Sequence, residues 1–328
     1  MATKVLLDTD IGTDSDDAIA LALAMASPEL DIVAVVATGK QARRRALLAK
    51  KILVVGGQQD VPVFVGADEP VGQGELYWFG HEGRGIVDDD EALGLEAQSG
   101  IEAYQELVQS IPNLEVIAIG SMSTIGRAIN RYPGIADKFT KVTIMGGHVR
   151  TARYADTTMS PGIDYNLCID PAASTSMLES GAAITLVPCE VTLQTWLTFR
   201  DTERLAAANA VGKILATSVR AWAPIQRAIF TGIGVGDKYD PDNADFLHDP
   251  LTVASAYADY LFTFEELWVE PLMVDNIFRT VERPAGTASA IKLRCATGVR
   301  SREFHELLMQ RLAPDNSSIA GQQRHREL

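Results

Sequence analysis

The stretch Val5-Leu6-Leu7-Asp8-Thr9-Asp10-Ile11-Gly12-Thr13-Asp14-Ser15-Asp16-Asp17-Ala18 lies near the N-terminus and decides the fold. An apolar run ends at Asp8, five carboxylates fall within ten residues, and an alanine-rich apolar segment begins at Ala18. We interpret these features as a buried strand, a tight acidic loop and a buried helix. In open α/β sheets, ligands bind at the carboxyl ends of strands, which is where this loop is expected to lie.

The acidic loop is a candidate metal site. Five carboxylates in one short loop repel one another, so their ionised forms need a neutralising cation. Oxygen ligands from Asp suit a hard ion such as Ca²⁺ or Mg²⁺. A simpler interpretation is that Asp14, Ser15 and Asp16 only cap the next helix, because such residues are favoured at helix starts. The number of carboxylates favours the metal site.

Composition restricts the class of protein. The 328 residues are 47% hydrophobic and 22% charged, which is typical of a globular protein. We find no linker or repeat and predict a single domain over residues 1–328, with a disordered tail from about residue 315. A net charge of −14 argues against nucleic-acid binding, which needs a basic surface. Without a signal peptide or an apolar run that could span a membrane, we expect a cytoplasmic protein with reduced cysteines.

Strand and helix patterns alternate along most of the chain. Strands are predicted at 5–7, 31–37, 61–65, 115–119, 141–145 and 183–188, and helices at 18–25, 42–55, 101–111, 171–179, 201–229, 253–260 and 301–312. This alternation predicts an α/β fold with an open, mostly parallel, Rossmann-like sheet flanked by helices. Residues 266–295 are expected to form a hairpin or sheet edge.

Three further segments carry weaker signals. Residues 67–98 form a long loop that contains Trp78, Phe79 and His81, and such loops are often functional, although an ordinary surface loop is an equal alternative. Residues 149–162 are expected to be irregular. The basic run Arg43-Arg44-Arg45 is expected to be a solvated helix face.

Four motifs follow one another in a recognisable order. They are Asp8-Thr9-Asp10-Ile11-Gly12 with Asp16-Asp17-Ala18, the strand end Ile144-Met145-Gly146-Gly147, the pair Asp164-Tyr165-Asn166 and Asp170-Pro171-Ala172-Ala173, and His248-Asp249-Pro250-Leu251. In this order, and over most of the chain, they resemble the inosine–uridine-preferring nucleoside hydrolase family. The resemblance implies hydrolysis of the N-glycosidic bond of ribonucleosides, with release of free base and ribose, by a homodimer or homotetramer.

The resemblance also implies a metal centre. Carried over by position, the Ca²⁺ ligands would be Asp10, Asp17, Asp249 and the backbone carbonyl of Ile119. Asp10 would in addition take a proton from the water that the ion holds, which suits a reaction that passes through an oxocarbenium-like state.

The remaining roles implied by the resemblance concern the substrate. Asp16 and Asn166 would bind the ribose 2′- and 3′-hydroxyls, and Asp164 the 5′-hydroxyl. His248 would lie near the leaving base and could protonate it, and His81 is the alternative donor.

The chain departs from the family pattern at several positions. A two-residue insertion, placed at Thr13-Asp14, leaves both Asp14 and Asp16 as candidates for the sugar contact. Asp164 stands where Glu is usual and is one methylene shorter, and Lys40 stands where Asn is common. These departures bear on the identity of the substrate more than on the chemistry.

Two other functions fit part of the sequence. A haloacid-dehalogenase-type phosphatase also begins with a strand that ends in Asp-x-Asp, but it leaves Asp16-Asp17 and His248-Asp249 unexplained. A non-catalytic Ca²⁺-binding or sugar-binding module would fit the alternating acidic residues, although the twelve-residue register of a Ca²⁺ loop is absent. Release of a free base from a nucleoside would separate the three functions.

Overall fold

The computed structural model of the protein describes residues 2–88, 91–161 and 164–314. The strands within these ranges are β1 (Thr3–Thr9), β2 (Leu30–Ala37), β3 (Val63–Val65), β4 (Glu115–Ala118), β5 (Lys141–Met145), β6 (Ala152–Tyr154), β7 (Thr157–Met159), β8 (Ile184–Val187), β9 (Trp196–Thr198), β10 (Asn243–Phe246), β11 (Phe262–Val274), β12 (Ile277–Arg283) and β13 (Ile291–Val299). The tail expected to be disordered, from residue 315 onward, lies outside the described residues.

The helices in the same ranges alternate with the strands from β1 to β5 and less regularly after that. They are α1 (Asp16–Met25), α2 (Ala42–Val55), α3 (Gly100–Ser110), α4 (Ser123–Arg131), α5 (Tyr165–Cys168), α6 (Pro171–Leu178), α7 (Cys189–Thr192), α8 (Phe199–Ala208), α9 (Ala210–Gly232), α10 (His248–Ser255) and α11 (Ser301–Leu312). Short 3₁₀ turns lie at Ala136–Lys138, Gly236–Lys238 and Asp259–Leu261.

One nine-stranded sheet organises the molecule. Its strand order is β12-β11-β13-β8-β5-β4-β1-β2-β3. The pairings from β13 to β3 are parallel, and β11 pairs antiparallel with both β13 and β12. The predicted α/β class and mostly parallel sheet are confirmed, and the hairpin expected at residues 266–295 is the antiparallel edge.

The sheet is covered on both faces. Along β1, Val5 and Leu7 belong to one apolar cluster, and Leu6 belongs to the cluster on the other face. All three are fully buried, which explains why β1 reads as a continuous apolar run rather than an alternating one. Helix α1 is buried on almost every side, which explains its uniformly apolar sequence.

The strand order reverses at β1, which lies between β2 and β4 although β4 follows both in the chain. The chain passes from β1 to β2 on one side and from β4 to β5 on the other. The two connections therefore diverge and leave a crevice at the carboxyl ends of β1 and β4, which is the usual ligand site of such sheets. The acidic loop at residues 8–17 follows β1 and lies at this crevice.

The segment predicted as one helix over 201–229 is two helices, α8 and α9. Asn209 is extended, with φ −164°, and its side chain accepts a hydrogen bond from the Gly212 amide at 2.8 Å. A Cβ at Gly212 would lie 2.0 Å from the Leu205 carbonyl oxygen, so the two helices pack at a distance that only glycine permits. The apolar period continues through this break, which is why the pattern did not reveal it.

Two other boundaries differ from the prediction. The stretch expected to be irregular over 149–162 contains the β6–β7 hairpin, whose Tyr154 packs against Phe246 at a ring distance of 4.9 Å. The helix predicted over 253–260 begins at His248 and ends at Ser255. Its first turn therefore brings the His248-Asp249 pair to the crevice.

Candidate active site

The side chains of Asp8 and Asp10, at the carboxyl end of β1, lie in different environments. Asp8 is 1% exposed and accepts a hydrogen bond from the Tyr104 hydroxyl at 2.6 Å. Burial raises the pKa of Asp8 to about 8. This side chain is held within the packed sheet by a partner from α3, whereas Asp10 faces the crevice.

Three carboxylates converge where α1 and α10 begin. One oxygen each of Asp16, Asp17 and Asp249 lies within 4.8 Å of the others, and all three residues are buried. The Asp249 amide donates to Asp16 at 2.9 Å, and the Thr9 hydroxyl donates to Asp17. Two helix N-termini thus hold the acidic cluster, and helix N-termini favour negative charge.

The electrostatics of this cluster favour the binding of a cation. Burial raises the pKa of Asp16, Asp17 and Asp249 well above the usual range, and the neighbouring carboxylates raise it further. A bound divalent ion removes both costs, because its charge replaces the protons. The ligand atoms are carboxylate oxygens, which suit Ca²⁺ or Mg²⁺.

Asp10 lies beside the same cluster, and its position requires a glycine at residue 120. Burial raises the pKa of Asp10 to about 6, and Arg45 opposes that rise. A Cβ at Gly120 would lie 2.6 Å from the Asp10 amide nitrogen and 3.0 Å from its Oδ1. Only glycine after β4 therefore lets the two strand ends approach closely.

The carbonyl of Ile119 lies beside Asn166. The Asn166 side-chain amide donates to the Ile119 oxygen at 3.0 Å and to the Met145 oxygen at 3.2 Å. Asn166, on α5, thus joins the carboxyl ends of β4 and β5. The predicted carbonyl ligand and the predicted sugar contact are neighbours.

One cavity of about 260 Å³ collects most of the predicted site residues. Carboxylates occupy part of its wall, and aromatic and aliphatic side chains occupy the rest. The lining residues are Asp10, Thr13, Asp14, Asp16, Asp17, Phe79, Ile119, Met145, Tyr165, Asn166, Cys189, Trp222, Ile229, His248 and Asp249. Such a wall can hold a metal ion and a polar sugar at one part and an apolar ring at another.

His248 is a neutral imidazole in this cavity. Its Nδ1 lies 2.6 Å from the Thr192 hydroxyl oxygen, and burial lowers the pKa of His248 to about 4. When Thr192 donates to Nδ1, the ring proton is on Nε2. His248 is then a hydrogen-bond donor at neutral pH without carrying a positive charge.

His81 lies behind the cavity wall rather than in it. Its Nε2 lies 2.8 Å from the Thr13 carbonyl oxygen, and a carbonyl only accepts, so Nε2 carries a proton. Its ring stacks on Trp222 with centroids 6.0 Å apart. His81 therefore supports two residues of the wall, Thr13 and Trp222.

Asp164 lies in a second cavity, of about 590 Å³, beside the first. Its Oδ1 accepts the Leu167 amide at 2.8 Å and thereby caps α5. Burial raises the pKa of Asp164 to about 6, although backbone hydrogen bonds from Leu167 and Gly147 oppose the rise. The structure thus separates Asp164 from the acidic cluster while keeping it close to Tyr165 and Asn166.

The expectation of a solvated basic face at residues 43–45 is wrong for Arg45. Arg43 is exposed, but Arg45 is 1% exposed and reaches under the acidic loop. Its guanidinium donates to the Asp10 carbonyl, to the Thr13 hydroxyl at 2.8 Å and to the Tyr77 carbonyl at 3.2 Å. Arg45 therefore ties the acidic loop to the segment that begins at Tyr77.

Glu82 fixes the aromatic segment, defined as residues 77–82. It is 2% exposed and accepts the Phe79 and Gly80 amides, both at 2.7 Å, and the Thr13 hydroxyl at 3.1 Å. Burial alone would raise its pKa, but these bonds and nearby Arg45 lower it. The long loop is thereby anchored to Thr13 in the acidic loop.

A buried acid at the end of β10 was missing from the sequence prediction. Asp245 is fully buried, accepts the Ser15 hydroxyl at 2.5 Å and faces Asp14. Burial raises the pKa of both Asp14 and Asp245 well above the usual range, and a neighbouring carboxylate raises it further, Asp245 for Asp14 and Asp16 for Asp245. The run Asn243-Ala244-Asp245-Phe246 carries no motif that could have signalled this contact.

Across residues 2–88, 91–161 and 164–314, no helix combines the length and the apolar character needed to cross a membrane.

The fold and the site define an α/β enzyme with a candidate metal centre at the carboxyl ends of its parallel strands. Residues 5–306 match the family described as inosine-uridine preferring nucleoside hydrolase. The chain belongs to that family and is a hydrolase that acts on N-glycosyl compounds.

Similar proteins cover nearly the whole chain. A pyrimidine-specific ribonucleoside hydrolase RihA from Citrobacter koseri is 27% identical over 331 residues, with 95% of this chain and 99% of the relative covered. The Escherichia coli O9:H4 protein of the same name is 28% identical over 277 residues, with 82% and 84% covered.

Solved structures share the fold. A plant nucleoside hydrolase has a TM-score of 0.80 at 24% identity, with 96% of this chain and 100% of that chain covered. A purine-preferring ribonucleoside hydrolase from Gardnerella vaginalis has a TM-score of 0.79 at 24% identity, with 94% and 98% covered.

Proposed function

We propose that this protein hydrolyses the N-glycosidic bond of ribonucleosides with Ca²⁺ as its cofactor and releases free nucleobase and ribose. The observation that carries the proposal is the convergence of buried Asp16, Asp17 and Asp249 beside Asp10, in a cavity whose remaining wall is largely apolar. The acidic part suits a metal ion and a sugar diol, and the apolar part suits a planar base.

The residues present fit a Ca²⁺ ion. The holding groups are Asp10, Asp17, Asp249 and the Ile119 carbonyl, all of which line the cavity and offer oxygen. The raised pKa of Asp17 and Asp249 supports this assignment, because a cation stabilises the ionised carboxylates that burial disfavours. When bound, the ion supplies Lewis acidity that makes a water more acidic and orients hydroxyl groups.

Asp10 is the proposed general base. Its carboxylate lines the cavity beside Asp17 and Asp249, where it can accept a proton from the attacking water. That water attacks the anomeric carbon while the bond to the base nitrogen breaks, and ribose keeps the new hydroxyl. Arg45 fixes the Asp10 backbone carbonyl and so holds this carboxylate in place.

The sugar is bound by neighbouring polar groups. Asp16 and Asn166 are proposed to bond to the 2′- and 3′-hydroxyls, since both line the cavity next to the metal ligands. Asp14 also lines this wall, but its side chain already hydrogen-bonds to that of Asp245. Asp164 is proposed to accept the 5′-hydroxyl, because it lines the second cavity next to Tyr165, which lines both.

His248 assists departure of the base. Because its pKa is about 4, it acts as a neutral Nε2–H donor to a base nitrogen or oxygen rather than as an imidazolium. His81 is the alternative donor, and it reaches the base only when the aromatic segment moves, because its Nε2 bonds to Thr13.

We also propose a homodimer or homotetramer, on the basis of family resemblance. Apolar side chains at the antiparallel edge support an interface there, since Met273 is 54% exposed and Val274 is 36% exposed. Sedimentation of the purified protein at micromolar concentration tests this proposal, and a monomer would contradict it.

An assay of free base released from uridine, cytidine, inosine, adenosine and guanosine tests the proposed function. One relative is named for pyrimidine specificity and another for purine preference, so both classes belong in the panel. We expect Ca²⁺-dependent release from at least one nucleoside and no phosphate release from p-nitrophenyl phosphate. Phosphate release without base release would support the phosphatase instead.

A further inference from the structure

The cavity that contains Asp164 is larger than the proposed nucleoside cavity and adjoins it. Tyr165, Cys189, Ile229 and His248 line both spaces, whose volumes are about 590 Å³ and 260 Å³. A molecule bound in the first cavity can therefore extend into the second without displacing the acidic cluster.

The carboxylate of Asp164 is held back at the wall of this second cavity. It caps α5 through the Leu167 amide, and its Oδ2 lies 3.9 Å from the Cys168 sulfur. Its side chain is 4% exposed. Oδ1 is therefore committed to the helix cap, and the cavity that Asp164 lines continues past it over other side chains.

Apolar side chains dominate the remainder of the second cavity. Met159, Ile169, Leu193, Phe230 and Ile233 line it. Ile233 lines this cavity and is 55% exposed, so it lies where the cavity meets solvent. An apolar group that enters here removes this surface from water.

The charge of the second cavity disfavours a substrate with an anionic group on its 5′ carbon. Glu75 and Asp164 are the ionisable acids in its wall, and no Lys or Arg from the described residues lines it. A 5′-phosphate would meet these carboxylates without a Lys or Arg to pair with, so nucleotides are poor candidates. A neutral, apolar substituent meets no such penalty.

We propose that the second cavity receives an apolar substituent on the 5′ carbon, so that 5′-alkylthio nucleosides are substrates of this enzyme. This inference rests on the proposed function, in which the diol faces the acidic cluster and the 5′ carbon faces Asp164. The chemistry is unchanged: the hydroxyl of water bonds to the anomeric carbon as the bond to the base nitrogen breaks, the proton that Asp10 takes from the water ends on the released base, and the thioether remains on the sugar.

The test compares kcat/KM for uridine, inosine and adenosine with kcat/KM for their 5′-deoxy-5′-methylthio derivatives. For the preferred base, the methylthio compound should equal or exceed its parent by up to about tenfold, the lower end of the roughly 10–200-fold that one methylene in an apolar pocket contributes, because this cavity is open to solvent. A lower value for the methylthio compound with every base would overturn the proposal.

A rim variant tests the location. Ile233→Trp narrows the mouth of the second cavity at an exposed position and should lower the methylthio-to-parent ratio at least about fivefold. Val54→Trp, on α2 and 38% exposed, is the matched control and should leave the ratio unchanged. An unchanged ratio in Ile233→Trp, with unfolding temperature preserved, would refute the assignment to this cavity.

The outcomes separate the two proposals. Cleavage of parent nucleosides but not of methylthio derivatives would overturn only the inference about the second cavity. Absence of base release from every compound would overturn the proposed function itself.

Discussion

His248 combines a lowered pKa with a position beside the acidic cluster. Its neighbour Asp249 donates its backbone amide to Asp16, and the His248 ring contacts Thr192. Burial lowers the His248 pKa to about 4, so the ring is neutral throughout pH 6–8. Its proposed contribution is a hydrogen bond to the leaving base and not the electrostatic effect of a cation.

This role leads to a substrate-dependent prediction for His248→Ala. Natural nucleosides should react roughly 10²-fold more slowly, within the range of general-acid effects, at every pH from 6 to 8. p-Nitrophenyl riboside should be slowed far less, because nitrophenolate departs without protonation. Equal losses of kcat on both substrates would instead make His248 a structural neighbour of Asp249.

Asp10 and Asp8 provide a matched pair, two residues apart on the same strand end. Asp10→Asn keeps an oxygen beside the metal but removes the base, so kcat should fall at least about 10²-fold while the unfolding temperature changes little. Asp8→Asn retains an acceptor for Tyr104 and should lose far less activity. Near-full turnover by Asp10→Asn would refute its role as the base.

Single residues also mark where sequence reasoning was limited. Asp16, Asp17 and Asp249 could be proposed because they belong to motifs, and the structure gathers them around one cavity. The buried position of Arg45 could not be predicted, because three consecutive arginines resemble a solvated helix face. The sequence does not show which of the three points into the protein. Asp245 lies in an unremarkable segment and meets Ser15 only through the fold.

Among the elements, α8 begins with a capping box that reaches another helix. Asp201 accepts the Thr198 amide at 3.1 Å and the Thr198 hydroxyl at 2.7 Å, and His305 of α11 at 2.9 Å. Partial burial alone would raise the pKa of Asp201, but these hydrogen bonds outweigh burial and lower it to about 2. The start of α8 is therefore coupled to α11.

The pH dependence of stability tests this coupling. Because the folded-state pKa lies below the usual 3.8, the stabilisation is complete above about pH 4 and is lost as pH falls toward 2. Asp201→Asn should reduce the free energy of unfolding by about 1 kcal/mol at pH 6, the usual size of a capping contribution, and by less at pH 3.

Urea unfolding at several pH values measures the difference between the wild type and Asp201→Asn. Asp259→Asn is a suitable control, because its ion pair with Arg294 is on the surface and such pairs contribute little. A difference for Asp201→Asn that stays constant from pH 6 to pH 3 would contradict the coupling.

Element boundaries were harder to predict than element types. The break at Asn209 depends on one side-chain cap and on the fit of Gly212 against Leu205, neither of which alters the apolar period. The β6–β7 hairpin is short, and it is held by Tyr154 packing against residues that lie far along the chain. Contacts of this kind come from tertiary structure.

On the scale of the whole molecule, the α/β class followed from alternating strand and helix patterns, but the strand order did not. The position of β1 between β2 and β4 creates the crevice, and α10, more than 200 residues later, delivers Asp249 to it. The family resemblance could link these distant segments because motif order reflects a shared fold. Local periodicity alone could not.

The most direct test of the proposed mechanism is a Ca²⁺ titration of chelated protein, with base release and ion binding followed in the same samples. We expect release to be abolished by chelation and restored in proportion to one Ca²⁺ bound per chain. The same titration of Asp17→Asn should show weaker binding and a matching loss of rate, because Asp17 is a proposed ligand. Undiminished base release by the chelated wild-type protein would contradict a metal-dependent reaction at this site.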